Sequence, residues 1–184
     1  MWSSRDIALV ALFPVVNVIY TYLVGQLGWL LFGVPGSNMA LIIGGVIINS
    51  VALLMFEGRR WRFLLMSVIF VILILPTNLV GNPFDIFPRI PSIINAIQAD
   101  LLFNSLYGFF NKRNQLKLWS VICLVEFFLV NPLLTSIAFT FLFPPAFVSA
   151  FINVIIFLLP VSIAESIIGA LIGFKIYEKA KKMR

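Results

Sequence analysis

The chain has 184 residues, of which 61% are hydrophobic and 11% charged, with a mean hydropathy of +1.08. Water-soluble domains carry roughly 45–50% apolar and about 25% charged residues, so a soluble enzyme, a disordered chain and a nucleic-acid-binding domain are excluded despite the net charge of +6. There is no histidine and one cysteine, Cys123, so no zinc site, no internal disulfide and no nucleophile–histidine pair is expected.

About 20 apolar residues carry a helix across the hydrocarbon core. Residues 7–56 contain no charge, and the turn signal Gly33-Val34-Pro35-Gly36-Ser37-Asn38 divides them, giving span one at 7–32 and span two at 38–56. The first run is too long for a signal-peptide core of about 7–15 residues and lacks a small-residue cleavage site, so it reads as a retained span. The cluster from Glu57 to Arg62 closes span two, and span three follows at 63–80. A loop from Gly81 leads to span four at 91–111, which ends at Lys112 and Arg113. Span five is 118–143. The turn Phe143-Pro144-Pro145 leads to span six at 147–174 and a basic tail.

The expected fold is therefore an all-α integral membrane protein, a single domain of six transmembrane helices. Arg5, Arg59, Arg60, Arg62, Lys112, Arg113, Lys117, Lys175, Lys179, Lys181, Lys182 and Arg184 fall on one side of it, and Arg89 alone on the other. Basic residues favour the cytoplasmic face, so both termini are expected in the cytoplasm of a plasma-membrane protein, with anionic lipid as a partner of the basic side. No Walker-type phosphate loop is present, so nucleotide hydrolysis would need another chain.

Ionisable groups inside spans cost at least about 2.5–3.5 kcal/mol each and are functional candidates by default. Asp100, Glu126 and Glu165 are the three, expected at similar depth with no basic residue in any span to pair with them. Each must be protonated, hydrogen-bonded, wet or facing a cation, and a protonated acid bridging two helices is the plain structural alternative. Ala96, Asp100, Asn104 and Tyr107 share one face of span four; Ser162, Glu165, Gly169 and Gly173 form a small polar stripe on span six that allows close helix approach. Pro14, Pro132 and Pro160 interrupt their spans near polar groups, and Pro76 ends span three; broken helices beside polar side chains occur at transporter sites. Gln26, Trp29, Asn95, Gln98, Asn131 and Asn153 are the polar candidates from mid-depth to the far side; Trp29 also suits an interface anchor.

In size and topology the chain resembles the substrate-binding S components of energy-coupling factor (ECF) vitamin transporters. The sequence likeness is diffuse and best at Arg5–Leu12, around Ala99-Asp100, and from Pro160 to Gly169 with the basic end that follows. The family's first span often carries Ala-x-x-x-Ala; here Ala8 and Ala11 stand three apart and Leu12 takes the fourth position. The resemblance implies capture of a vitamin-like small molecule from outside, in a site under the loop between spans one and two. It also implies delivery with a transmembrane scaffold subunit and cytosolic ATPases. The substrate-binding candidates are Gln26, Trp29, Asn95, Gln98, Asp100, Glu126, Asn131, Asn153 and Glu165. With acids and no bases in the spans, a neutral or cationic substrate is expected. No catalytic residue, cofactor or metal is expected. The alternatives are a structural membrane protein like the MreD family of the cell-shape machinery, which is similar in size and topology, and a small ion-coupled carrier using the three carboxylates as proton sites.

Overall fold

The structure is a computed structural model. It describes residues 2–32, 42–79 and 82–183, and of residues 26 and 28–32 it describes the backbone alone. The described residues form helices and no strand: α1 (Ser4–Phe32), α2 (Ile43–Met55), α3 (Arg62–Ile74), α4 (Ile90–Lys112), α5 (Leu116–Leu142) and α6 (Pro145–Lys182), with one 3-10 turn at Phe87–Arg89. Among them α1 over Ser4–Gly25, α5 and α6 are long and apolar enough to cross a membrane. The chain is thus an all-helical protein of membrane type. The turn expected at 33–38, the start of the expected second span and the junction at residues 80–81 lie outside the described residues.

The helices pack as a ring in the order α1, α2, α6, α5, α4, α3, which closes back on α1; α2 also touches α5 across the ring. Every basic cluster except Arg89 gathers at one end. There Arg5 donates to the Met55 carbonyl at 3.0 Å, and Tyr107 packs beside Gly58. Ser3 and Asp6 cap α1 reciprocally: the Ser3 amide donates to Asp6 Oδ2 and the Asp6 amide to Ser3 Oγ, both at 3.2 Å. The fully buried Asp6 also pairs with Arg59 at 2.9 Å and Arg62 at 3.4 Å, tying α1 to the α2–α3 connection. That connection turns sharply, with positive φ at Glu57, Gly58 and Trp61. At Gly58 (φ +75°) a β-carbon would meet the Tyr107 ring at 2.5 Å, so only glycine suits both the backbone and the contact.

Helices α2 and α3 are short, 13 residues each. At about 1.5 Å per residue each is roughly 20 Å long, less than the core of about 30 Å. Span three was expected to reach residue 80, but α3 ends at Ile74. Pro76 has no N–H to continue the ladder, and the carbonyls beyond the helix bond to Arg89 instead. Pro14, Pro132 and Pro160 lie inside continuous helices rather than breaking them. Helix α6 runs on through the basic tail to Lys182, beyond the expected end at 174.

The small-residue stripe of α6 faces α2. A β-carbon on Gly169 would stand 2.8 Å from Val46 Cβ and 2.9 Å from the Ile43 carbonyl; on Gly173 it would stand 2.5 Å from Ser50 Cβ. Ser50 Oγ donates to the Ala170 carbonyl at 3.3 Å in the same seam. Overpacking a close seam costs about 1–3 kcal/mol. Gly173→Val should therefore lower the unfolding midpoint, whereas Gly108→Val, where a β-carbon meets nothing, should leave it unchanged or raise it slightly, because valine is a better helix former than glycine. Equal losses at the two positions would show that the seam is not close-packed.

Candidate functional site

A cavity of about 220 Å³ lies inside the ring. Its walls follow helical spacing. Asn17, Tyr20, Thr21, Val24 and Gly25 come from α1, and Gly45 and Asn49 from α2 behind Ile42 at its N-terminus. Met66, Ser67 and Phe70 come from α3, Ser92 from α4, and Phe127, Phe128, Asn131 and Thr135 from α5. The i, i+3, i+4, i+7 pattern on α1 and the i, i+4, i+8 pattern of Phe127, Asn131 and Thr135 place each set on one inward face.

The lining is uncharged, with polar groups set among apolar faces. It holds three asparagine amides, a tyrosine, four hydroxyls and three phenylalanine rings, and no Asp, Glu, Lys or Arg among the described residues. Asn49 is 5% exposed, and neither its Oδ1 nor that of Asn131 has a hydrogen-bond partner among the described residues. Buried amides without partners are uncommon, because each lost hydrogen bond costs about 1–3 kcal/mol. The hydroxyls of Ser67 and Thr135 donate to carbonyls one turn back in their own helices, Phe63 at 2.9 Å and Asn131 at 2.9 Å, which leaves their lone pairs to accept. Pro132 withholds the usual helical donor from the Phe128 carbonyl in the same wall. The arrangement can hold a small molecule by amide hydrogen bonds against aromatic faces. It offers no nucleophile–base pair, and no group of three metal-ligating side chains occurs among the described residues.

Of the nine residues singled out from the sequence, Asn131 lines this cavity. The side chains of Gln26 and Trp29 lie outside the described residues. Asn153 is exposed on the outer face of α6. Asn95 is fully buried and donates to the Phe127 carbonyl at 2.8 Å, joining α4 to α5, and Gln98 donates to Glu126 Oε1 on the same seam.

The other two carboxylates serve helix ends. Asp100 on α4 is fully buried. It accepts from the backbone amides of Trp61 at 2.8 Å and Leu64 at 3.0 Å, at the N-terminus of α3, and from Asn104 Nδ2 at 2.7 Å. Glu165 on α6 accepts from the Ile42 amide at 2.8 Å and from Ile43, at the N-terminus of α2. Tyr20 Oη accepts from the next amide, Gly44, at 3.0 Å. Free N–H groups and the positive end of the helix dipole collect there, so a carboxylate finds its charge matched without a basic side chain. The three acids, expected at similar depth, thus make three separate attachments.

Asn17, Tyr20, Asn49, Ser67 and Phe70 line the cavity and were not among the binding residues expected from the sequence. The signal available was the spacing of uncharged polar residues: Asn17 with Tyr20 and Thr21, Gly45 with Asn49, and Asn131 with Thr135. No protein-family model, curated protein or solved structure matches the chain.

Proposed function

We propose that the chain is a membrane-embedded substrate-binding subunit that captures a small molecule in the cavity among α1 to α5. In this reading it is an S component of an ECF-type importer, with six spans and both termini in the cytoplasm. It passes its substrate inward with a transmembrane scaffold subunit and cytosolic ATPases on separate chains, and performs no catalysis itself. The observation that carries the reading is the uncharged cavity, in which two asparagine oxygens have no partner among the described residues. Pockets of this kind, apolar walls with a few convergent polar groups, are where small ligands bind. The collection of basic clusters at one end of the ring supports the orientation. The structural-subunit reading is weaker, because Gly169 and Gly173, the surface it would offer a partner, are used against α2.

The test is thermal unfolding of the purified protein in lipid nanodiscs against a panel of vitamins, their precursors and amino acids. A ligand at 100 times its dissociation constant stabilises the native state by about 2.7 kcal/mol, which reads as a shift of several degrees. Asn49→Leu and Asn131→Leu should each weaken that ligand about tenfold, while Asn153→Leu, on the outer face, leaves it unchanged. A ligand bound equally well by both cavity variants would place the site elsewhere. A protein that responds to no member of the panel and co-purifies with a fixed membrane partner would favour the structural reading.

A further inference from the structure

We infer that the cavity selects an uncharged, flat ring carrying an amide-type edge, with a hydrogen-bond donor and acceptor side by side. The inference rests on the cavity being a capture site and names the class of molecule it takes.

Charge selectivity comes from the lining. An ion entering would exchange its water shell for neutral dipoles alone, a transfer strongly disfavoured without a counter-charge. The acid behind the wall, Glu165, reaches from α6 to the Ile42 amide at 2.8 Å, and its charge is directed to the end of α2. The preferred edge comes from the amides. An asparagine presents a carbonyl and an NH2 group side by side and pairs bidentately with a ring that offers the complementary two. Asn49 and Asn131 stand on different helices of the wall, and each has a side-chain oxygen without a partner among the described residues. Flatness comes from the aromatic faces of Phe70, Phe127 and Phe128. Size comes from the volume: a dry cavity of about 150 Å³ takes benzene, so 220 Å³ admits one ring with a short substituent.

Benzamide, benzoate and benzamidinium share a shape and differ in charge, and they are the probes. Their binding to the protein in nanodiscs is measured by ligand-observed NMR. Benzamide should bind at least tenfold tighter than either ion. Asn49→Leu and Asn131→Leu should each remove most of that preference. Asn131→Asp should turn it towards benzamidinium, a gain that misfolding cannot produce. Either ion binding as tightly as benzamide overturns the charge selectivity and leaves the capture reading standing. Benzamide affinity unchanged in both leucine variants overturns the assigned edge. If no probe binds a protein that still unfolds cooperatively, the flat-ring inference falls, and a hit in the vitamin and amino-acid panel decides the capture reading separately.

Discussion

Arg89→Leu should be the most damaging single substitution in the chain, costing about 3–5 kcal/mol, the range for stripping a buried charged group from its partners. The Arg89 side chain is fully buried. Its guanidinium donates to the carbonyls of Ile74 at 3.2 Å, Thr77 at 2.9 Å, Leu79 at 2.9 Å and Asn82 at 3.0 Å, and to that of Asp85. These carbonyls lie at and beyond the C-terminus of α3, where the helix leaves acceptors without donors. No other side chain among those described donates to them, except that Thr77 Oγ1 also reaches Ile74 at 2.7 Å. A loss of this size is a large part of a typical total stability of about 5–15 kcal/mol. The variant should therefore fail to give a monodisperse folded fraction, or unfold at a much lower denaturant midpoint. Arg89→Lys should fall between, because an ammonium offers three donors from one point rather than a planar fork. A leucine variant within about 1 kcal/mol of the parent would remove Arg89 from this role.

Asp100→Ala should cost about 3 kcal/mol, since hydrogen bonds to charged groups contribute about 1.5–3 kcal/mol each. The two amides it bonds are those of the N-cap Trp61, whose φ is +72°, and of Leu64 in the first turn of α3. No side chain from the N-cap itself bonds them, so the cap comes from the neighbouring helix. Asp100→Asn keeps one oxygen but turns an NH2 group towards donors, and should recover at most half of the loss. Proton transport through Asp100 predicts the opposite pattern: an Asp100→Asn protein as stable as the parent that has lost pH-dependent flux. Equilibrium unfolding together with a flux assay in proteoliposomes separates the two roles.

The number of helices and their approximate limits were legible in the sequence because hydropathy and turn residues both act locally. The Glu57–Arg62 cluster and the Phe143-Pro144-Pro145 turn mark connections that any helical reading would find. The close approach of α6 to another helix was legible too, from the spacing of Gly169 and Gly173, although only the structure names α2 as the neighbour. The work of the carboxylates was not legible. Asp100 and Glu165 bond amides that are 36 to 123 residues distant in the chain, and nothing in the local pattern announces such a pairing. The cavity lay between these extremes. Its residues recur at helical spacing, and Asn131 was legible, but which faces of α1, α2 and α5 converge is decided by packing between distant segments.

The capping of the short helices has a mechanical consequence. Helix α3 is fastened to the chain segment of α4 at both ends, through Asp100 at its start and Arg89 at its finish, so the two form one strut. Helices α2 and α6 form a second strut, pinned by Glu165 at Ile42 and interlocked at Gly169 and Gly173. Helix α1 is joined to the first strut by ion pairs of Asp6 at the basic end, and to the second where Arg5 meets the Met55 carbonyl. Towards its other end it supplies Tyr20, Thr21, Val24 and Gly25 to the cavity wall, with the Tyr20 hydroxyl on the Gly44 amide as its described attachment there. Among the described residues, side-chain bonds therefore hold α1 more heavily at its basic end than at its cavity end.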